Sequence, residues 1–79
     1  MNDNQLDAIL VGQAISKERQ NKGITQEVLS GLANIGRTHL SAIERGERKP
    51  TLETLWRIAA ALDMRPSELV RRIEQMTDE

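Results

Sequence analysis

Seventy-nine residues with 38% hydrophobic content make one small domain, whose buried surface leaves little surplus stability. There is no Cys and only one His, His39, which excludes disulfides and cysteine metal sites and leaves a poor basis for any other metal centre. The net charge of −1 argues against a uniformly basic nucleic-acid binder.

Charge distribution changes that inference. From Lys17 to Lys49 there are seven basic and four acidic residues, a net of +3, while the remainder carries four basic and eight acidic residues, a net of −4. Screening limits each charge to a reach of roughly 8–10 Å, so a polarised molecule can turn its basic side to phosphates and its acidic ends away. No apolar run approaches the ~20 residues of a membrane span, and Met-Asn-Asp-Asn does not start a signal peptide. A cytoplasmic location is the expectation.

Residues 1–4 are polar and expected to fray. From Asp3 onward Leu6, Ile9, Leu10, Val11, Ala14 and Ile15 recur at helical spacing, which predicts a first helix running to about Asn21 with Gly23 as its stop. Leu6 and Ile9 either extend the core or touch a partner subunit. Thr25 is an N-cap for a second helix over about Gln26–Ala33, in which Gly31 costs about 1 kcal/mol relative to Ala. The break Asn34-Ile35-Gly36 follows. Asn34 tolerates the left-handed conformation of a tight turn, Ser30 is small where two helix axes approach, and Ile35 fills the corner.

A third helix is expected over about Arg37–Arg45, with Gly46 just past its end. Leu40 and Ile43 face its core side, which turns Arg37, Thr38, Ser41 and Ala42 outward and leaves His39 near the flank. The loop Gly46-Glu47-Arg48-Lys49-Pro50 is tight and basic. Thr51 caps a fourth helix whose Leu52, Leu55, Ile58, Ala59 and Leu62 form a core face, with Trp56 offset from it. Asp63-Met64 turns the chain, and Pro66 opens a fifth helix with a narrow stripe of Leu69, Val70 and Ile73; Met76 to Glu79 should fray. No linker or repeat divides the chain, so residues 1–79 read as a single module of all-α class without a ligand domain.

Two short helices joined by a tight turn are a helix-turn-helix. The run Gly23-Ile24-Thr25-Gln26-Glu27, then Leu29, then Leu40-Ser41-Ala42-Ile43-Glu44-Arg45-Gly46, resembles the Xre family, the phage-repressor type of helix-turn-helix with a compact five-helix lambda-repressor-like fold. The likeness continues through Pro50-Thr51-Leu52-Glu53-Thr54-Leu55 and Ile58-Ala59-Ala60-Ala61-Leu62, covering roughly residues 11–70. Within the family, Arg37-Thr38-His39-Leu40-Ser41 and Pro66-Ser67-Glu68-Leu69 look most like the controller proteins of restriction-modification systems. Glu18 departs from the pattern, standing where the family often has Leu, and Leu32 stands where relatives are often polar.

The resemblance implies roles for particular residues. Arg19 precedes Gln26 by seven residues, the interval at which relatives pair this Arg with the Glu of I-E-R-G, here Glu44; otherwise the two are unrelated surface charges. Family geometry puts the start of the third helix in the major groove. Arg37 would then read guanine, Thr38 hydrogen-bond a base or meet a thymine methyl, Ala42 meet a thymine methyl, and His39 reach a base, a phosphate or only solvent. Thr25, Gln26 and Ser41 would contact phosphates, as would Arg48 and Lys49 beside the backbone. Gln26 is otherwise a solvated first-turn residue.

The function implied is a sequence-specific transcriptional regulator, homodimeric on a palindromic site in double-stranded DNA, possessing no cofactor and no evident small-molecule ligand. Leu69, Val70, Ile73, Met64 and Trp56 are the apolar groups expected at the dimer surface, although Trp56 suits covering the core edge better than binding a ligand. Nothing assembles a nucleophile, base and orienter, so an enzyme is not expected. The alternative is a protein-interaction module such as an antitoxin or anti-repressor partner.

Overall fold

The computed structural model describes residues 5–78 and contains five helices: α1 (Ala8–Lys22), α2 (Gln26–Ala33), α3 (Arg37–Glu44), α4 (Leu52–Ala61) and α5 (Pro66–Thr77). The all-α, five-helix lambda-repressor-like architecture expected from the sequence is the one present. α1 packs on α3 and α5, α2 packs on α3 and α4, and α4 meets α5. Ile15, Leu29, Leu40, Ile43, Ile58 and Leu69 are fully buried where these contacts converge.

Local chemistry sets the boundaries. Thr25 accepts a hydrogen bond from the Val28 backbone N–H at 3.1 Å, and Thr51 does the same for Thr54 at 3.1 Å. Each hydroxyl satisfies a donor that the first helical turn leaves free. Asn34 ends α2 in the left-handed conformation, φ 57°, and Ile35 then tucks against the core. Glu68 accepts from the Arg65 backbone N–H at 2.7 Å, which starts α5 behind Pro66. Arginine has no acceptor, so the reciprocal half of a capping box is absent there.

Several expectations change. α1 begins at Ala8, not at Asp3, because the Asp7 carboxylate accepts from the Ile9 N–H at 2.9 Å and so caps the helix itself. Leu6, ahead of that cap, is 49% exposed, too little burial to stabilise another turn. Asp3 and the fraying expected of residues 1–4 and of Glu79 lie outside the described residues. At the other end α5 continues through Thr77, with Met76 packed against the core where fraying was expected.

Leu69 and Ile73 are corrected more substantially. Both were expected at a dimer surface, but α5 turns them into the chain's own core, where they are 0% and 6% exposed. They repeat four residues apart on the face toward α1 and α4, whereas Val70, one position on, points out. Trp56 lies off the α4 stripe and is 57% exposed, so it does not seal the core edge.

Two contacts draw α1 against α3 and the turn after it. A Cβ at Gly12 would lie 2.3 Å from the Ile43 carbonyl oxygen and 2.6 Å from that of Glu44, so only glycine permits this helix approach. Gly46, φ 80°, likewise backs onto Ile9, to whose Cα an added Cβ would come within 2.8 Å. Ion pairs fasten the periphery: Lys22 with Asp63 at 2.6 Å, and Arg72 with Glu18 at 3.5 Å. The second explains Glu18, whose charge joins α1 to α5 where an apolar residue would have packed.

Candidate nucleic-acid interface

The basic middle of the chain folds into one surface made by the start of α2, the outer side of α3 and the loop behind it. Its foundation is a clamp on Glu44, at the last turn of α3. Arg19, on α1, presents Nε to Glu44 Oε2 at 2.8 Å and Nη2 to Oε1 at 3.1 Å, while its Nη1 donates to the Ile24 carbonyl at 2.9 Å. The guanidinium fork matches the carboxylate edge, and the two side chains are only 14% and 5% exposed. Gln26 Nε2 also donates to Glu44 Oε1, at 2.9 Å. One carboxylate therefore ties together the end of α1, the entry to α2 and the end of α3.

Gln26 is thus held by Glu44 and is half-buried, rather than free in solvent as a first-turn residue. Thr25, Gln26 and Arg37 line one depression, with Arg19 and Glu27 at its wall. Thr38, His39, Ala42 and Arg48 line another, of about 380 Å³. Arg37 and Thr38 are exposed, His39 is half-buried between the core side and solvent, and Arg48 and Lys49 are exposed in the loop. Neighbouring residues of one helix thereby open onto different depressions, Arg37 toward α2 and Thr38 toward the loop.

Ala42 departs from its expected place. It was assigned to the outward face, to meet a thymine methyl, but it is 8% exposed and forms part of the floor beneath Thr38 and Arg48. The chain reversal after α3 covers it: Gly46 donates to Ile43 O at 3.0 Å and Glu47 to Ala42 O at 2.9 Å, a Schellman closure that folds the loop back over this turn. Ser41 is half-buried, and its Oγ accepts a hydrogen bond from Arg45 Nη1.

Arg45 is the residue on this surface that sequence reasoning missed. Thr38, Ser41 and Arg45 follow the i, i+3, i+7 spacing of one helical face, which was the available signal. Arg45 grips Glu47 in two hydrogen bonds, 2.8 Å from Nε and 2.9 Å from Nη2. These contacts raise the arginine's pKa and lower that of Glu47; in both, the hydrogen bond is the larger cause and the opposite charge the smaller. The described residues hold no group of three or more potential metal ligands.

A family model described as Helix-turn-helix (HTH_3) matches residues 15–69, the whole of this surface and most of the core beneath it. The chain belongs to this Xre-type helix-turn-helix family. The family is one of DNA-binding transcriptional regulators, not enzymes. Among its members, the uncharacterized HTH-type transcriptional regulator y4dJ of Sinorhizobium fredii is 41% identical over 61 residues, covering 77% of this chain and 79% of that one. The restriction-modification controller protein C.AhdI of Aeromonas hydrophila superposes with a TM-score of 0.78 at 35% identity, over 82% of this chain and 98% of its own. C.Esp1396I, a controller solved as a tetramer with its natural 35-base-pair operator, gives a TM-score of 0.86 at 29% identity, over 96% and 100% of the two chains. This helix-turn-helix protein resembles restriction-modification controllers in both sequence and fold. None of its described helices is long and apolar enough to cross a membrane.

Proposed function

We propose that the chain is a sequence-specific regulator that acts as a homodimer on a palindromic operator, as a restriction-modification controller governing its own promoter. The observation that carries this reading is the outer side of α3 with its following loop. Arg37, Arg48 and Lys49 are exposed there and, among the described residues, none of the three has a carboxylate partner. Unpaired cations flanking a helix that can enter a major groove suit a polyanion.

In this reading Arg37 makes the bidentate contact to guanine O6 and N7, and Thr38 reads a neighbouring base edge. His39 extends the base-reading set at its flank. Thr25 and the clamped Gln26 meet a phosphate at the start of α2, and Arg48 and Lys49 hold the backbone on the other side. Ser41, engaged with Arg45, serves the phosphate side only when Arg45 moves. C.Esp1396I assembles as a tetramer on its operator, which supports an oligomeric, DNA-bound mode here.

The dimer surface in this proposal is Trp56 and Val70, both exposed, with half-buried Met64. Leu52, expected on the core face of this helix but 69% exposed at its first turn, joins them four residues before Trp56. A two-fold through such a patch is self-complementary and sets the recognition helices about 34 Å apart, one DNA turn. Selection of bound sites from random duplexes, with sedimentation of the free protein, tests this. A recovered palindrome, a dimer at micromolar protein, and a Trp56→Glu variant that sediments as a monomer are the expected results. Recovery of no preferred sequence would sink the operator reading, and a wild-type monomer that protects one half-site would sink the dimer.

A second reading has one observation in its favour. Val28 and Leu32 stand four residues apart on α2 and are 46% and 62% exposed, an apolar pair that suits a protein partner such as the target of an antitoxin. Failure of the selection experiment would favour it.

A further inference from the structure

Among the basic residues around the recognition helix, Arg45 is the one whose charge is cancelled on the exposed surface. Arg37, Arg48 and Lys49 have no carboxylate partner among the described residues, and Arg19 is committed to Glu44 inside the domain. Arg45 instead closes two hydrogen bonds on Glu47 and a third on Ser41. The Schellman turn makes this possible: left-handed Gly46 reverses the chain, so that a side chain two positions along comes back beside the arginine. Glu47 is the only carboxylate in the loop Gly46–Pro50, and it stands beside Arg48 and Lys49.

The fold does not need this pair. Backbone hydrogen bonds from Gly46 and Glu47 already close the turn, and both side chains are more than half exposed, 53% and 59%. Exposed ion pairs of this kind add little to stability. A carboxylate, however, presents the same two-oxygen edge to a guanidinium as a DNA phosphate does. We infer that Glu47 masks Arg45 as an internal stand-in for phosphate, so that Arg45 is a DNA-backbone contact which must be exchanged from Glu47 to be used. The consequence is lower affinity for DNA in general, because docking that does not bring a phosphate into bidentate reach leaves Arg45 neutralised.

This inference rests on the DNA-binding reading and makes a quantitative demand on salt dependence. When Arg45 leaves Glu47 for a phosphate, one DNA counterion is released but a carboxylate is uncovered, so the net gain is close to zero. Without the carboxylate, the same contact releases a counterion outright, and the logarithmic salt slope steepens by about 0.9.

The test is fluorescence anisotropy of labelled short duplexes of random sequence, titrated with wild type, Glu47→Gln, Arg45→Ala and the double variant over about 50–200 mM salt. Circular dichroism checks that all four remain folded. Glu47→Gln is expected to tighten binding by about 3- to 10-fold at low salt, with the steeper slope, and to lose most of that gain when Arg45 is also alanine. An equal gain in the Arg45→Ala background would show Glu47 acting as a general repulsive charge and would overturn the inference. So would an unchanged slope in Glu47→Gln. If wild type binds while Glu47→Gln gains nothing, the masking fails alone; if wild type binds no duplex at any salt, the DNA-binding reading fails and the inference falls with it.

Discussion

Glu44 and Arg45 are consecutive residues, each in an arginine–glutamate pair with fork geometry, yet the two pairs occupy opposite sides of the end of α3. The inner pair, Arg19 with Glu44, is almost closed to water and carries two further hydrogen bonds, to the Ile24 carbonyl and from Gln26. The outer pair, Arg45 with Glu47, is open to water and spans a turn that the backbone has already closed. Nearly equal Nε–O distances, 2.8 Å in each, therefore carry different consequences. Inside, the net contribution of the pair is modest, but loss of one partner strands a charge; outside, water replaces either partner.

The largest effect should come from breaking the inner side. Glu44→Ala is expected to destabilise the domain by about 3–5 kcal/mol, because Arg19 is left charged and largely buried with only the Ile24 carbonyl to face. In urea unfolding, Arg19→Ala combined with Glu44→Ala should cost less than the sum of the two single changes. Additive losses would mean the pair is not a unit. Close behind comes Gly12→Ala, expected to cost about 3 kcal/mol, since its methyl would overlap the Ile43 and Glu44 carbonyls and force α1 from α3. A stability within about 0.5 kcal/mol of wild type would contradict that packing.

Gly31→Ala sharpens the comparison from the opposite direction. Nothing lies within 4 Å of an added Cβ there, and the position is helical, so the substitution should stabilise by roughly 0.5–1 kcal/mol through helix propensity alone. Destabilisation would contradict the open space beside this position. The same methyl group thus acts with opposite sign at two helical glycines, according to what stands opposite.

The smallest expected effect lies in the outer pair. The Glu47 pKa is lowered on folding, first by the hydrogen bond from Arg45 and then by its charge, so any stability it confers is present above the unfolded-state pKa and is lost as pH falls through the lower folded value. Its exposure makes that contribution too small for a denaturation experiment. Carboxyl NMR reads it directly: Glu47 should titrate below the ordinary glutamate range in the wild type and return to it in Arg45→Ala. Identical midpoints in the two proteins would remove the interaction from solution.

Much of this molecule was legible in one dimension. Thr25, Asn34, Gly23, Thr51 and Pro66 act through their own backbone neighbours, so caps and turns were readable and the order of five helices with them. The spacing of Leu40 and Ile43 told the inner face of α3 from the outer one for Arg37 and Thr38. Motif resemblance supplied Arg19 with Glu44, a contact 25 residues apart that no local rule could have derived.

Tertiary structure alone decided the rest, because each remaining question turned on what lies across from a residue. Periodicity says that Leu69 and Ile73 share a face but not whether their own chain or a second copy covers it. Ala42 is small enough to sit on either side of α3 until the returning loop covers it. Gly12, unmarked in the sequence, becomes a point of closest approach once Ile43 and Glu44 stand behind it. The sequence determined that the central segment is basic; only the Schellman reversal at Gly46, by returning Glu47 to Arg45, determined which of its surface charges is paired.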